Sequence, residues 1–376
     1  MLSINEFDSI RPFEGAEIKE AIARLLASND FLQLFCKITQ TSTEDLVDRL
    51  NKSTDRDSFQ ELVFGHFADR FIQLTTGGVT TTNLEKVDSK QAYIFLTNHR
   101  DIILDSAILN FKLREAGKPY TQAAIGSNLL ITDWITDLVK LNSCFVVERD
   151  ISVREMITSS LLRSKYIRQT ISEAKNSIWI AQKEGRTKDG NDKTQPSLLK
   201  MLKIGGQDSF LETFKALNIM PIAISYEWEP CDIYKTKELY IKETDKYIKT
   251  KEDDMNSMVN GMVGEKGRVH YSFAPISEEE LLNVDKEPNN GAKIDALVKL
   301  IDNKIHKNYK LFPNNYIAYD LLYSTNKFTD KYTMEEKENF IKIMTNKISK
   351  IEGNTAMLNS IFLNIYANPV KNKFDL

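Results

Sequence analysis

The chain is poor in cysteine, has no long apolar run, and carries no large excess of either charge. Its three cysteines, Cys36, Cys144 and Cys231, stand far apart. That spacing argues against a disulfide framework or a zinc site and fits a reducing compartment. The apolar stretch "IMPIAI" (219–224) is about as long as any, whereas a bilayer span needs roughly 18 residues or more. The first residues, "MLSINEFDSIRPFEG", show neither a basic flank nor an apolar core, so no secretory signal is expected. A net charge of −3 argues against wholesale nucleic-acid binding. Histidine is scarce too, and His66, His270 and His306 fall at no metal-binding spacing.

What is present is an ordinary soluble composition, 41% apolar and 27% charged over 376 residues, with ample length for a sizeable core. Residues 15–75 read as helices. Apolar residues recur at three- and four-residue intervals through "EIKEAIARLLASNDFLQLFCKI", and Asn29-Asp30 marks a break. Asp57 or Ser58 is expected to cap a further helix that stops at Gly77-Gly78. From there strands and helices alternate. Strands are expected in "GVTTTNL", "AYIFLTN" (92–98), "TQAAIG" (121–126), "CFVVERD" (144–150), "SIWIAQ" (177–182), "IMPIAISYEW" (219–228) and "RVHYSFAPI" (268–276). The pattern predicts an α/β fold with a mostly parallel central sheet flanked by helices, an N-terminal helical domain and a helical C-terminal segment. The expected boundaries are 1–78, 79–280 and 281–376. The polar segments 183–196 and 229–266 are expected to be loops or insertions.

One stretch, "FLTNHRDIILDSAILN" (95–110), contains the His-Arg-Asp that opens a protein-kinase catalytic loop. A kinase also requires an asparagine five residues after the aspartate and a metal-binding Asp-Phe-Gly. Ser106 stands at the first position, and the second motif is absent. The triplet is not a kinase signature.

Four short blocks in order resemble the glycerophospholipid acyltransferases, the family of glycerol-3-phosphate and lysophosphatidic acid acyltransferases. "NHRDIILDSAIL" resembles the first, an Asn-His followed by an aspartate and a helix. "CFVVERD" is similar to the second, an apolar strand ending in arginine, here Arg149. "WIAQKEGRTKDG" resembles the third, with Glu184, Gly185 and Arg186. "IMPIAISYE", with Pro221, is similar to the fourth. Two spacings depart from the family pattern. Five residues separate His99 from Asp105 where the family has four, and Arg186 follows Gly185 directly where the family has one residue between. The functional carboxylate is therefore Asp105 if the motif is aligned from its helix, or Asp101 if aligned from its histidine; the helix favours Asp105.

The resemblance implies transfer of a fatty acyl group from acyl-CoA or acyl-carrier protein to a hydroxyl of a glycerophosphate-type acceptor. It implies no metal and no bound cofactor beyond what the donor carries. The chemistry suits the residues. A histidine titrating near neutrality can take the hydroxyl proton, and a carboxylate on its other nitrogen stabilises the imidazolium. His99 is the expected base. An anionic acceptor needs cations, and residues 145–205 hold 12 Lys/Arg against 7 Asp/Glu. Arg149, Arg186 and Lys188 are the expected phosphate contacts; Glu184 would bind an acceptor hydroxyl or pair with Arg186. "NLLITDWITDLVKL" (128–141) reads as a core helix or as a surface meeting acyl chains and lipid. The expected partners are the acyl donor, a phosphorylated lipid precursor and, peripherally, the cytoplasmic face of a membrane, in a cytoplasmic protein. The alternatives are another lipid or amine acceptor, or an inactive lipid-binding protein of the same fold.

Overall fold

A computed structural model of the chain describes residues 6–206, 209–245 and 250–375. The strands among them are β1 (Thr76–Thr82), β2 (Ile94–Thr97), β3 (Gln122–Gly126), β4 (Cys144–Val147), β5 (Ile178–Ala181), β6 (Ile219–Tyr226) and β7 (Gly267–Phe273). They form one sheet in the order β1-β7-β6-β2-β5-β3-β4. All neighbours are parallel except β6 and β7. The α/β fold expected from the alternating elements is the one observed. β2 and β6 are buried along their whole length, which is why both read as continuous apolar runs.

Successive side chains face opposite sides of the sheet. Phe95 and Ile222 join a cluster with Leu25, Phe31, Phe67 and Ile108, so the N-terminal helices Ala16–Ala27, Asn29–Thr39 and His66–Thr75 share a core with Leu104–Glu115 on one face. Leu96 and Ala223 point the other way, to Ile167, Leu199, Phe214 and Leu297 of helices Val153–Ser172, Pro196–Ile204, Phe210–Leu217 and Asn290–Asn308. The last helices, Pro313–Leu322, Met334–Ile348 and Thr355–Phe374, close on a third cluster. Trp228, just beyond β6, enters it and stacks on Phe340 at 5.7 Å. Among the described residues no helix is long and apolar enough to cross a membrane.

Three local expectations change. The helix expected from Asp57 or Ser58 begins behind Asp55, whose carboxylate accepts from the Ser58 N–H while Ser58 Oγ accepts from the Asp55 N–H. It ends at Thr75, and Gly77-Gly78 belong to β1, where the register shifts between Thr76 and Val79. The glycine pair marks a strand irregularity, not a helix stop. The polar segment 229–266 holds two helices, Asp232–Thr244 and Lys251–Val263; its residues 246–249 lie outside the described set. The first helix has no apolar stripe because the residues it buries are Asp232, Lys235, Thr236 and Glu238. Periodicity in hydrophobicity fails wherever a buried face is polar.

Candidate active site

β2 ends at Thr97 and the chain turns over the carboxyl edge of the sheet, where open parallel sheets place their ligand sites. Asn98 secures the turn. Its Oδ1 accepts from the Ile224 N–H at 2.7 Å and its Nδ2 donates to the Ile224 carbonyl at 2.9 Å, so the side chain pairs with β6 where β2 has stopped. His99 follows, 12% exposed, with its ring edge-on to Trp179 at 5.4 Å. Its Nδ1 lies 2.9 Å from Oδ2 of Asp105, which is fully buried. A carboxylate there accepts, so Nδ1 carries the proton and Nε2 is left free to act as a base.

Asp105 is held on every side. Oδ2 also accepts from the N–H groups of Arg100 (2.6 Å) and Asp101 (3.1 Å), and Oδ1 accepts from the Tyr226 hydroxyl at 2.8 Å. Burial, and then the Asp105 charge, hold the Tyr226 hydroxyl well above its usual pKa, so it stays a donor. Asp101 does not reach the imidazole. Its Oδ1 accepts from the N–H groups of Ile103 and Leu104, starting the helix Leu104–Glu115. The helix begins at Leu104 and presents Asp105 to His99.

Asp105→Asn is therefore expected to misorient His99 and lower turnover about 10²–10⁴-fold. Asp101→Asn keeps the oxygen that caps the helix and is expected to cost much less. Turnover of the two folded variants decides it, and the reverse order would make Asp101 the partner of the base.

The Glu-Gly-Arg block follows β5. Its backbone lies against the dyad, since the Thr187 N–H donates to the His99 carbonyl at 2.8 Å. Gly185 has φ +70°, a left-handed conformation that a side chain would strain. Arg186 is buried, and its Nη1 has no hydrogen-bond partner. Beside it, burial and then the Arg186 guanidinium push the Lys188 ammonium down to about 8, although Glu238 Oε2 accepts from its Nζ. Glu184 does not pair with Arg186. It is largely exposed and meets Arg149 Nη1 at 2.8 Å. The Arg149 N–H is fixed by Ser127 Oγ at 3.0 Å, so Arg149 and Glu184 make a bridge between the ends of β4 and β5. Pro221 stays inside the sheet, opposite Leu96 and five residues short of the carboxyl end of β6; its carbonyl accepts from the Ala274 N–H. The helix Asp133–Leu141 packs on Ala16–Ala27, with Trp134 5.8 Å from Phe31, so of its two readings the core one holds.

Several residues of the site were invisible in the sequence. Arg100 is completely buried. Its Nη2 donates to Asp192 Oδ2, and its Nη1 lies 3.4 Å from Glu229 Oε2. Lys235, equally buried, donates to Glu229 Oε1 and, at 2.9 Å, to the Arg100 carbonyl. Two cations thus meet two carboxylates, which is how charge survives in an interior. The C-terminal helices brace the same loop. His306 Nε2 lies 2.6 Å from the Asp192 carbonyl, and Asn368 Nδ2 donates to the Asp189 carbonyl at 2.7 Å. A Cβ on Gly190, at φ +77°, would come within 2.1 Å of the Ile365 carbonyl oxygen. No spacing in the sequence links residues 100, 192, 229 and 235. Tyr226 alone left a trace, inside "IMPIAISYE".

Residues 78–225 match the family described as Acyltransferase, a span that runs from within β1 almost to the end of β6. A search of curated proteins found no match. The match lies on the α/β part of the chain, supports the resemblance of the four blocks to the glycerophospholipid acyltransferases, and supports acyl transfer as the general activity.

Proposed function

We propose that the protein moves a fatty acyl group from an acyl-CoA or acyl-carrier-protein thioester to a hydroxyl of a glycerophosphate-type acceptor, glycerol 3-phosphate or lysophosphatidic acid, in phospholipid synthesis. The observation that carries this reading is the oriented His99–Asp105 pair with the buried, incompletely bonded Arg186, the neighbour of the Thr187 whose N–H donates to the His99 carbonyl. His99 Nε2 takes the proton as the acceptor oxygen attacks the thioester carbonyl. Asp105 stabilises the imidazolium through Nδ1–H. Collapse breaks the C–S bond, the ester forms, and the leaving thiolate takes the proton from His99. The acceptor hydroxyl stands where a serine protease uses its own serine, so no acyl-enzyme is needed. An inactive lipid binder would have no use for a histidine held on its carboxylate by this geometry.

Arg186 and Lys188 supply positive charge for the acceptor phosphate. The test is thiol release with acyl-CoA and acyl-carrier protein against a panel of phosphorylated and unphosphorylated acceptors. Arg186→Ala is expected to raise the acceptor KM while leaving the donor KM near normal, the pattern for binding shared by ground and transition states. Arg186→Lys rescues in part, because an ammonium keeps the charge and loses the bidentate contact. A defect reproduced by Lys188→Ala but not by Arg186→Ala moves the phosphate contact to Lys188. If both variants weaken only the donor, the cations serve coenzyme A or an acidic carrier, and the phosphorylated acceptor loses its support.

A further inference from the structure

The helix Val153–Ser172 begins six residues after β4 ends, at the carboxyl edge of the sheet that carries the candidate site. Residues 154–158 at its start are all exposed, so more than one turn buries little. The turn holds itself together. Ser152 Oγ accepts from the Glu155 N–H, and Glu155 accepts in return from the Ser152 N–H at 2.8 Å. On this self-capped tip Met156 is 50% exposed and Ile157 67%, with Leu161 at 40% one turn further on. Side chains of this size are rarely left in water together without a partner.

The charge of the helices behind the tip points to one partner. Helix Val153–Ser172 and its neighbour Pro196–Ile204 together carry six Lys/Arg against one Asp/Glu, in a chain of net −3. The two helices are packed together, and the Gly205 N–H donates to Ser164 Oγ at 2.9 Å, one turn from Leu161. Ile204, itself 48% exposed, adjoins that contact. Arg149 stands four residues before the helix, so the tip lies beside the Arg149–Glu184 bridge. An exposed apolar tip at the end of a basic helix pair suits insertion below phosphate headgroups, where apolar burial and attraction to anionic lipid add. A folded protein partner would instead need a surface that encloses the tip.

We propose that the exposed start of helix Val153–Ser172, with Met156, Ile157 and Leu161 at its apolar surface, docks the protein on an anionic phospholipid bilayer and sets the Arg149–Glu184 side of the site against it. The proposal rests on the lipid-acceptor reading only for its purpose, and its test separates the two. The full chain is sedimented with vesicles of phosphatidylcholine alone or mixed with phosphatidylglycerol. Wild type is expected to bind the anionic vesicles more tightly. The double variant Met156→Asp, Ile157→Asp is expected to weaken that binding about tenfold or more, given the burial it removes. The unfolding midpoint is expected to change little, because Met156 and Ile157 are at least half exposed. Thiol release from acyl-CoA to soluble glycerol 3-phosphate without vesicles stays unchanged too.

Absence of vesicle binding by wild type, or equal binding by the double variant, overturns the proposal. So does a double variant that keeps vesicle binding and loses only transfer from acyl-carrier protein, which would make the tip a carrier-protein dock. If no acceptor releases thiol and yet the double variant alone fails to bind vesicles, the acceptor reading falls and this docking surface stands.

Discussion

His99→Ala is expected to lower turnover about 10²–10⁴-fold, the usual worth of a positioned general base, in a protein that still folds. Folding should survive because the carboxylate beneath is not abandoned. Asp105 keeps the N–H donors of Arg100 and Asp101 and the Tyr226 hydroxyl after the imidazole is gone. His99 itself contributes little to the core beyond its edge contact with Trp179. The measurement is thiol release by the variant beside a circular-dichroism melt. A folded His99→Ala protein with near-normal turnover would sink the proposed mechanism, including the proton transfer assigned to Nε2.

Glu229→Ala is expected to show the largest loss of stability, about 3–5 kcal/mol, the range for removing one partner of a buried ion pair. Glu229 is the acceptor for Lys235 and faces Arg100, and neither cation can reach water. Glu229→Gln keeps an acceptor oxygen but not the charge, and is expected to fall between alanine and wild type. Asp48→Ala is the control. It breaks the pair Lys52–Asp48, in which both side chains are more than half exposed, and should leave the unfolding midpoint where it is. Urea unfolding of the three variants reads the order. The dyad should feel the change as well, since Lys235 holds the Arg100 carbonyl and the Arg100 N–H holds Asp105. Stability of Glu229→Ala within the range of Asp48→Ala would show that the buried cations find other partners.

The sequence by itself determined the alternation of strands and helices, because β2 and β6 are buried on both faces and have to be written as apolar runs. It also determined the four acyltransferase blocks, whose residues sit next to one another along the chain. What it left open was whatever depends on residues distant in the chain. Aligning "NHRDIILD" from its helix favoured Asp105, but the letters left Asp101 open as well. The choice of Asp105 came from a turn in which Asp101 caps the helix, and from Tyr226, 121 residues away, which donates to the same carboxylate. Arg100 read as part of a false kinase triplet; only the fold brings Asp192, Glu229 and Lys235 around it. Glu184 was adjacent to Gly185 and Arg186 in the letters, yet it pairs with Arg149 because the loops after β4 and β5 meet. Local pattern records which face of an element is dry. Tertiary structure decides which charged groups share a dry place, since any opposite charge at the right distance satisfies that need.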